Sequence, residues 1–204
     1  MWFFENPKSL GFIFELVGFI MLFSAAVYIL GSYTEFGLTI PDDVPDKTRY
    51  CLILGIGEGL AAIIYIGNAH RVMMGVINKE IDVLSKYLIT VGVTTIIYKE
   101  AEALAAMGTY PTEVIIAVGI LILIIGIIII AVGKKIGNGK PSPYKNILRY
   151  ILILAFFLLL IWSLYPAETY LELLNDVTHL LIAVFMILFL YDPEVKVAMG
   201  GEKE

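Results

Sequence analysis

The chain lacks most of the residue types on which active sites and metal centres are built. Its 204 residues include one cysteine, Cys51, two histidines, His70 and His179, and no glutamine. A single cysteine excludes an internal disulfide, and two histidines in distant segments fall short of a zinc ligand set. A P-loop, a nucleophile elbow and a serine with an evident base are also absent. We therefore expect no enzyme activity, no cofactor, no metal site and no nucleic-acid partner.

A removable signal peptide is not evident either. Residues 1–8 carry no strong basic region, and the apolar stretch that follows, 9–31, is long enough to span a bilayer. No small-residue cleavage site follows it closely. This first apolar stretch is therefore predicted to stay in the protein as a membrane helix.

Long apolar runs dominate what is present. Hydrophobic residues make up 59% of the chain, against about 45–50% in soluble domains. Segments of about 20 apolar residues, the length that spans a bilayer as a helix, occur six times. They are residues 9–31, 50–71, 83–106, 113–133, 146–165 and 171–191. The sequence predicts an all-α, polytopic integral membrane protein, with residues 1–204 as one membrane domain and 192–204 as a short cytoplasmic tail.

The distribution of Lys and Arg predicts the orientation of these helices. With the N-terminus in the cytoplasm, eleven of the 14 basic residues fall on the cytoplasmic side, and only Lys47, Arg49 and Lys99 fall on the other. The opposite loops are acidic, with Glu35, Asp42, Asp43, Glu113 and Glu168 among their residues. The positive-inside rule then places both termini in the cytoplasm of a cell-membrane protein.

The second segment carries an acid near its middle, Glu58. Gly55, Glu58 and Gly59 fall on one helical stripe. A carboxyl inside a membrane helix usually faces protein or water, because facing lipid is costly. Gly11 and Gly18 flank Glu15 in the same way in the first segment. Small residues let helices approach closely, so these stripes predict a tight contact of helices one and two or a homo-oligomer interface.

Helix lengths draw further polar residues into the membrane. The apolar parts of segments three and six are too short to cross ~30 Å of hydrocarbon. Their extension places Lys99 and His179 at roughly the depth of Glu58, about 12–13 Å from one surface, with Glu100 and Asp176 nearby. We predict a polar layer of Glu58, Lys99 and His179 that is either a structural ion pair or a path for a solute or ion. Glu15 is predicted to offer a proton or cation step nearer the cytoplasm.

The remaining segments carry few polar residues. Segments 113–133 and 146–165 indicate a scaffold that faces lipid. The basic loop between them, residues 133–149, contains no acid. It is predicted to act either as a topology determinant or as a contact for anionic headgroups or a phosphate-bearing ligand.

Residues 86–136 resemble part of a known family. The run from Lys86 through Gly92 to Lys99, a short polar link, and a long apolar helix ending in Lys134 and Lys135 look like the second half of PsiE proteins, small membrane proteins named for phosphate-starvation induction. The resemblance covers about residues 10–136, with Glu58 in the place of that family's acid-bearing helix. It implies membrane residence more than a mechanism.

Two functions are compatible with these features. The leading hypothesis is a six-span protein that transports or senses a small solute or ion through a polar intramembrane site. The alternative is a non-catalytic scaffold or accessory subunit, whose glycine stripes contact a partner and whose charges form packing pairs. Under either hypothesis, the protein is expected to be surrounded by membrane lipid.

Overall fold

The computed structural model describes residues 7–32, 44–77, 79–138, 140–166 and 170–202. Over these ranges the protein is all-helical, as predicted. The helices are α1 (Pro7–Gly31), α2 (Lys47–Met73), α3 (Glu80–Ala105), α4 (Thr112–Gly137), α5 (Pro143–Trp162), α6 (Tyr170–Tyr191) and α7 (Pro193–Ala198). The loop acids Glu35, Asp42, Asp43 and Glu168 lie outside the described residues.

Six of these helices are long and apolar enough to cross a membrane, which confirms the predicted number of spans for the described part of the chain. The observed bounds differ from the predicted ones mainly at α4 and α5. α4 continues to Gly137 because Gly133 to Ile136 still pack against α3 or α5. α5 ends at Trp162, and a turn at Ser163 and Leu164 precedes Pro166.

The helices pack largely in chain order. α1 lies against α2, α2 against α3 and α3 against α4, while α5 pairs with α6, which also contacts α1. Residue pairs such as Gly18 with Ile66 and Gly133 with Ile89 show that successive helices run antiparallel. One end of the bundle, here called the basic end, therefore holds the start of α1, α3 and α5. The other, here called the acidic end, holds the start of α2, α4 and α6.

The glycine stripes of α1 and α2 face each other. A Cβ at Gly11 would collide with the backbone of Met73, and one at Gly55 would lie 2.9 Å from the carbonyl oxygen of Ala25. A Cβ at Gly18 would lie 2.5 Å from the Ile66 side chain, whereas one at Gly59 would make an ordinary contact with Ala25 at 3.6 Å. These glycines thus serve a contact between two helices of the same chain.

A second glycine contact, which was not predicted from the sequence, joins α3 and α4. Gly119, Gly126 and Gly133 recur every seven residues, so they lie on one face of α4. A Cβ at Gly92 of α3 would lie 2.9 Å from the carbonyl oxygen of Gly126. The rest of α4 is an exposed isoleucine-rich surface that includes Ile116, Ile120, Ile124 and Ile127. α4 is therefore exposed on one side and packed against α3 on the other, whereas the sequence predicted a helix that faces lipid.

Buried cations hold the helices together at the basic end. The Lys145 ammonium donates to the carbonyl oxygen of Ile136 at 2.9 Å, and the Arg149 guanidinium donates to that of Leu190 at 2.9 Å. Both acceptors are in the last turn of a helix, where a positive charge is favoured by the unpaired carbonyls. The basic loop predicted to serve topology or anion binding therefore also contributes structural cations at the start of α5.

The tail beyond α6 is partly built into this end. Asp192 caps α7, accepting a hydrogen bond from the backbone N–H of Glu194 at 2.8 Å. Val195 and Met199 are fully buried in the apolar cluster between the helices. Residues 193–199 therefore belong to the packed bundle, whereas the sequence predicted only a short tail.

Candidate functional site

Between the helices lies a cavity of about 360 Å³, here called the main cavity. It lies between α1, α2, α3, α5 and α6, and its volume is within the range of small-molecule sites, about 300–1,000 Å³. Its walls combine apolar and polar side chains. They are Met21, Glu58, Tyr65, Tyr87, Val91, Thr94, Thr95, Tyr98, Lys99, Phe156, Leu159, Asn175, Thr178, His179 and Ile182.

Glu58 is the acid of this cavity. The residue is 3% exposed, and its carboxylate accepts a hydrogen bond from the Ser24 hydroxyl of α1 at 3.1 Å. Glu58 is placed there because Gly57 lies directly against Ala101 of α3 while Gly55 and Gly59 approach α1. Small residues on both sides bring three helices close around one carboxylate. No Lys, Arg or His of the described ranges lies within 4.0 Å of it.

Lys99 lines the same cavity but does not pair with Glu58. Its ammonium forms an ion pair with Glu102, one helical turn further along α3, at a distance of 2.6 Å. Both side chains are nearly half exposed. The predicted ion pair of Glu58 and Lys99 is therefore not formed, because a nearer acid on the same helix takes the lysine.

α6 contributes a polar stretch to the opposite wall. Asn175, Thr178 and His179 line the cavity, and the Thr178 hydroxyl donates to the carbonyl oxygen of Leu174 at 2.9 Å. His179 Nδ1 is buried and has no hydrogen-bond partner in the described ranges. Asp176, which the sequence placed with His179, is partly buried but is not among the lining residues.

Several lining residues were not anticipated. Tyr98 was not predicted for the site, and Thr94 and Thr95 were counted only as part of an apolar run. Ser24, which donates to Glu58 but is not a lining residue, was not predicted either. The hydroxyl of Thr94 donates to the carbonyl oxygen of Thr90 at 2.9 Å, so it is satisfied within its own helix. A usable signal was present, since Thr94, Thr95 and Tyr98 are spaced to share a face of α3 with Lys99.

Aromatic side chains close the main cavity toward the basic end. We call Phe14, Tyr65, Tyr87 and Phe156 the aromatic floor. The rings of Phe14 and Tyr87 stack at a centroid distance of 4.3 Å, and Tyr65 meets Tyr87 edge to face at 6.3 Å. Below the floor lies a small cavity of about 10 Å³, close to the space one water molecule needs, with Asn68, Lys86 and Thr90 in its walls.

The other predicted path residues lie outside the main cavity. The Glu15 carboxylate forms a hydrogen bond with His70 Nδ1 at 3.1 Å, which joins α1 to α2 near the basic end. Glu100 faces α4, where its carboxylate lies 3.1 Å from the Cβ position of Gly119, and its Oε1 is buried without a partner among the described residues. The structure thus brings Glu58, Lys99 and His179 to one cavity, and it separates Glu15, Glu100 and Asp176 from it.

The described residues contain no group of three or more His, Cys, Asp or Glu that could hold a metal ion. Comparison of the chain with protein-family models, with curated proteins and with solved structures finds no match. The class that the fold defines is a multi-pass helical membrane protein. Its function has to be argued from the cavity itself.

Proposed function

We propose that the protein moves a small solute or ion across a membrane through the main cavity, with the basic end and both termini in the cytoplasm. The single observation that carries this proposal is the set of polar side chains around a cavity inside a bundle of membrane-length helices. Burying Glu58, Lys99 and His179 in lipid would be expensive. A cavity filled by water or solute supplies the polar surroundings that these groups need.

The course of the cavity supports a path. Along α3 its lining runs from Lys99 at the acidic end to Tyr87 in the aromatic floor, and along α2 from Glu58 to Tyr65. The small cavity continues on the far side of Tyr65 and Tyr87 toward Lys86. In this proposal the main cavity is the entrance from the outer side, and the aromatic floor is the barrier that must open or be crossed.

The charge of the two ends supports the orientation. Lys8, Arg71, Lys79 and Lys86 belong to the basic end, together with Lys134 and Lys135 of α4. Positive residues near span ends are retained on the cytoplasmic side during insertion. The main cavity then faces the outside of the cell.

Flux measurements on purified protein in liposomes test this function. Vesicles with and without protein are exposed to gradients of H⁺, K⁺, Cl⁻ and tetramethylammonium, and ion-sensitive dyes record entry. We expect protein-dependent flux of at least one of these ions, which falls in Glu58→Gln. Glu113→Gln, which changes an exposed acid at the start of α4, is the matched control and is expected to keep the wild-type flux. Absence of flux for all of them would contradict the proposal, as would equal flux in Glu58→Gln.

A scaffold or accessory subunit is the second candidate. The observation in its favour is that Glu58 and Lys99 both have partners within the chain, Ser24 and Glu102, as packing contacts would. In this alternative the exposed face of α4 would bind a larger complex or a second copy. Mild-detergent purification from the native membrane separates the two: a transporter is expected as a stable species of its own, and a scaffold is expected with stoichiometric partners.

A further inference from the structure

Within the part of the chain that the structure describes, no cation pairs with the carboxylate of Glu58. Its hydrogen-bond partner, Ser24, is a neutral hydroxyl, and Lys99 is engaged by Glu102. A buried carboxylate without a positive partner is a costly arrangement, which a cationic ligand would relieve. The Lys99–Glu102 pair carries no net charge, so among the described lining residues the acid Glu58 is not compensated.

The size and walls of the cavity decide what kind of cation fits. A dehydrated inorganic ion needs several oxygen ligands close together in a small site. The main cavity instead offers about 360 Å³, a single carboxylate, and mostly apolar or aromatic walls. Such walls suit a ligand with an apolar body, for which Met21, Leu159 and Ile182 supply contact.

The aromatic residues add a second attraction for positive charge. Tyr65, Tyr87, Tyr98 and Phe156 all line the cavity. The faces of aromatic rings attract ammonium groups, and several rings around one site are the usual way in which proteins bind quaternary ammonium ligands. Carboxylate and rings therefore favour the same ligand class.

We propose that the main cavity binds a monovalent organic cation, an ammonium group on an apolar body, with Glu58 as its counter-ion and the tyrosines around it. The inference rests on the proposed function in one respect, that the cavity is open to solutes. Ser24 then has the role of a positioning residue, because its hydroxyl fixes one carboxylate oxygen and leaves the other for the ligand. His179 Nδ1, buried without a partner, is available to a polar group elsewhere on the ligand.

The test uses a matched set of probes on the purified full-length protein. Benzyltrimethylammonium is the cation, neopentylbenzene its uncharged isostere, and benzenesulfonate an anion of similar size. Calorimetric titration is expected to show saturable binding of the cation, with at least about tenfold weaker binding of the other two. Glu58→Gln is expected to weaken binding of the cation by about tenfold or more, and Glu113→Gln is expected to leave the affinity unchanged.

A second substitution guards against loss of folding. The Lys99 ammonium already lies 5.3 Å from the centroid of the Tyr98 ring, so the test uses Phe156, another lining residue. Phe156→Leu should weaken binding of the cation several-fold, and Phe156→Tyr should keep it, because the ring face attracts the charge. Circular dichroism and gel filtration report whether each variant is folded. Equal binding of the cation by wild type and a folded Glu58→Gln would overturn the inference, as would preference for benzenesulfonate.

The liposome assay separates this inference from the proposed function. If the protein conducts H⁺, K⁺ or Cl⁻ but binds no benzyltrimethylammonium, the ligand class is wrong and transport stands. If it binds the cation without any flux, the site is right and transport is wrong. If it does neither, both proposals fail.

Discussion

The Ser24 hydroxyl of α1 donates a hydrogen bond to the Glu58 carboxylate of α2 at 3.1 Å, and both side chains are buried. Loss of this bond is expected to leave the carboxylate without its donor. Ser24→Ala should therefore lower the free energy of unfolding by about 0.5–2 kcal/mol, the range for hydrogen bonds between membrane helices. This change is measured by unfolding the protein in mixed detergent micelles while circular dichroism monitors the helix content.

A matched serine provides the control. Ser163, just after the end of α5, is also buried, but its hydroxyl donates to the carbonyl oxygen of Leu160 in the last turn of α5 at 2.8 Å. Ser163→Ala is expected to change the stability less than Ser24→Ala. An equal effect of the two substitutions would contradict the importance of the contact between α1 and α2.

Gly92 sits where α3 crosses α4. A Cβ there would come within 2.9 Å of the Gly126 carbonyl oxygen and 3.1 Å of the Ile130 nitrogen, so the backbones would have to separate. We expect Gly92→Ala to destabilise the protein by about 1–3 kcal/mol, as overpacking does. Gly67→Ala is the control, because nothing lies within 4 Å of its Cβ position, and alanine there should be neutral or stabilise by up to about 1 kcal/mol. Similar stabilities of the two variants would contradict the close crossing.

Arg149 is a structural cation in this account. Arg149→Met removes the hydrogen bond to Leu190 and leaves a buried carbonyl without that donor, so a loss of about 1–3 kcal/mol is expected in the same unfolding assay. Lys135→Met removes an exposed cation that lies 4.7 Å from the Tyr144 ring centroid, and should cost less than about 1 kcal/mol. If Arg149→Met were instead as stable as wild type and bound anionic lipid less well, the arginine would belong to a headgroup site.

Tyr87 is the central ring of the aromatic floor, in contact with Phe14, Tyr65 and Phe156. Replacing it with alanine joins the main cavity to the small one below. We expect Tyr87→Ala to raise protein-dependent flux in liposomes several-fold, whereas Tyr87→Phe should keep the barrier because the ring stack remains. Unchanged or lower flux in a folded Tyr87→Ala would place the barrier elsewhere.

Much of the fold could be predicted because membrane helices are specified by local composition. Helix length alone put Glu58, Lys99 and His179 at one depth, and all three line the main cavity. What length does not give is the rotation of each helix about its axis. That is why Asp176 and Glu100, near the same depth, face elsewhere.

Pairing partners were harder to predict than positions. Lys99 pairs with Glu102, one turn along the same helix, whereas the sequence analysis placed Lys99 with Glu58. The seven-residue spacing of glycines in α4 was not recognised as a contact with α3. The residues around these glycines are apolar, so the whole helix was predicted to face lipid. Lys145 and Arg149 donate hydrogen bonds to carbonyl groups in the last turns of α4 and α6. These bonds depend on the positions of the helix ends relative to α5, which the sequence does not show.

The central claim is that a polar, solute-accessible cavity lies within the span of the helices. It can be tested by thiol labelling, because the chain has a single cysteine, Cys51, which is buried. In a Cys51→Ala background, Thr95→Cys puts a thiol in the cavity wall, and Ile127→Cys puts one at a similar level on the exposed face of α4. Detergent-denatured samples confirm that both thiols are present.

The reagent is membrane-impermeant trimethylammonium-ethyl methanethiosulfonate, applied to protein in liposomes. The account predicts rapid modification of Thr95→Cys, slowed by benzyltrimethylammonium, and negligible modification of Ile127→Cys. Failure of Thr95→Cys to react any faster than Ile127→Cys would contradict it, because the cavity would then be closed to water-soluble molecules.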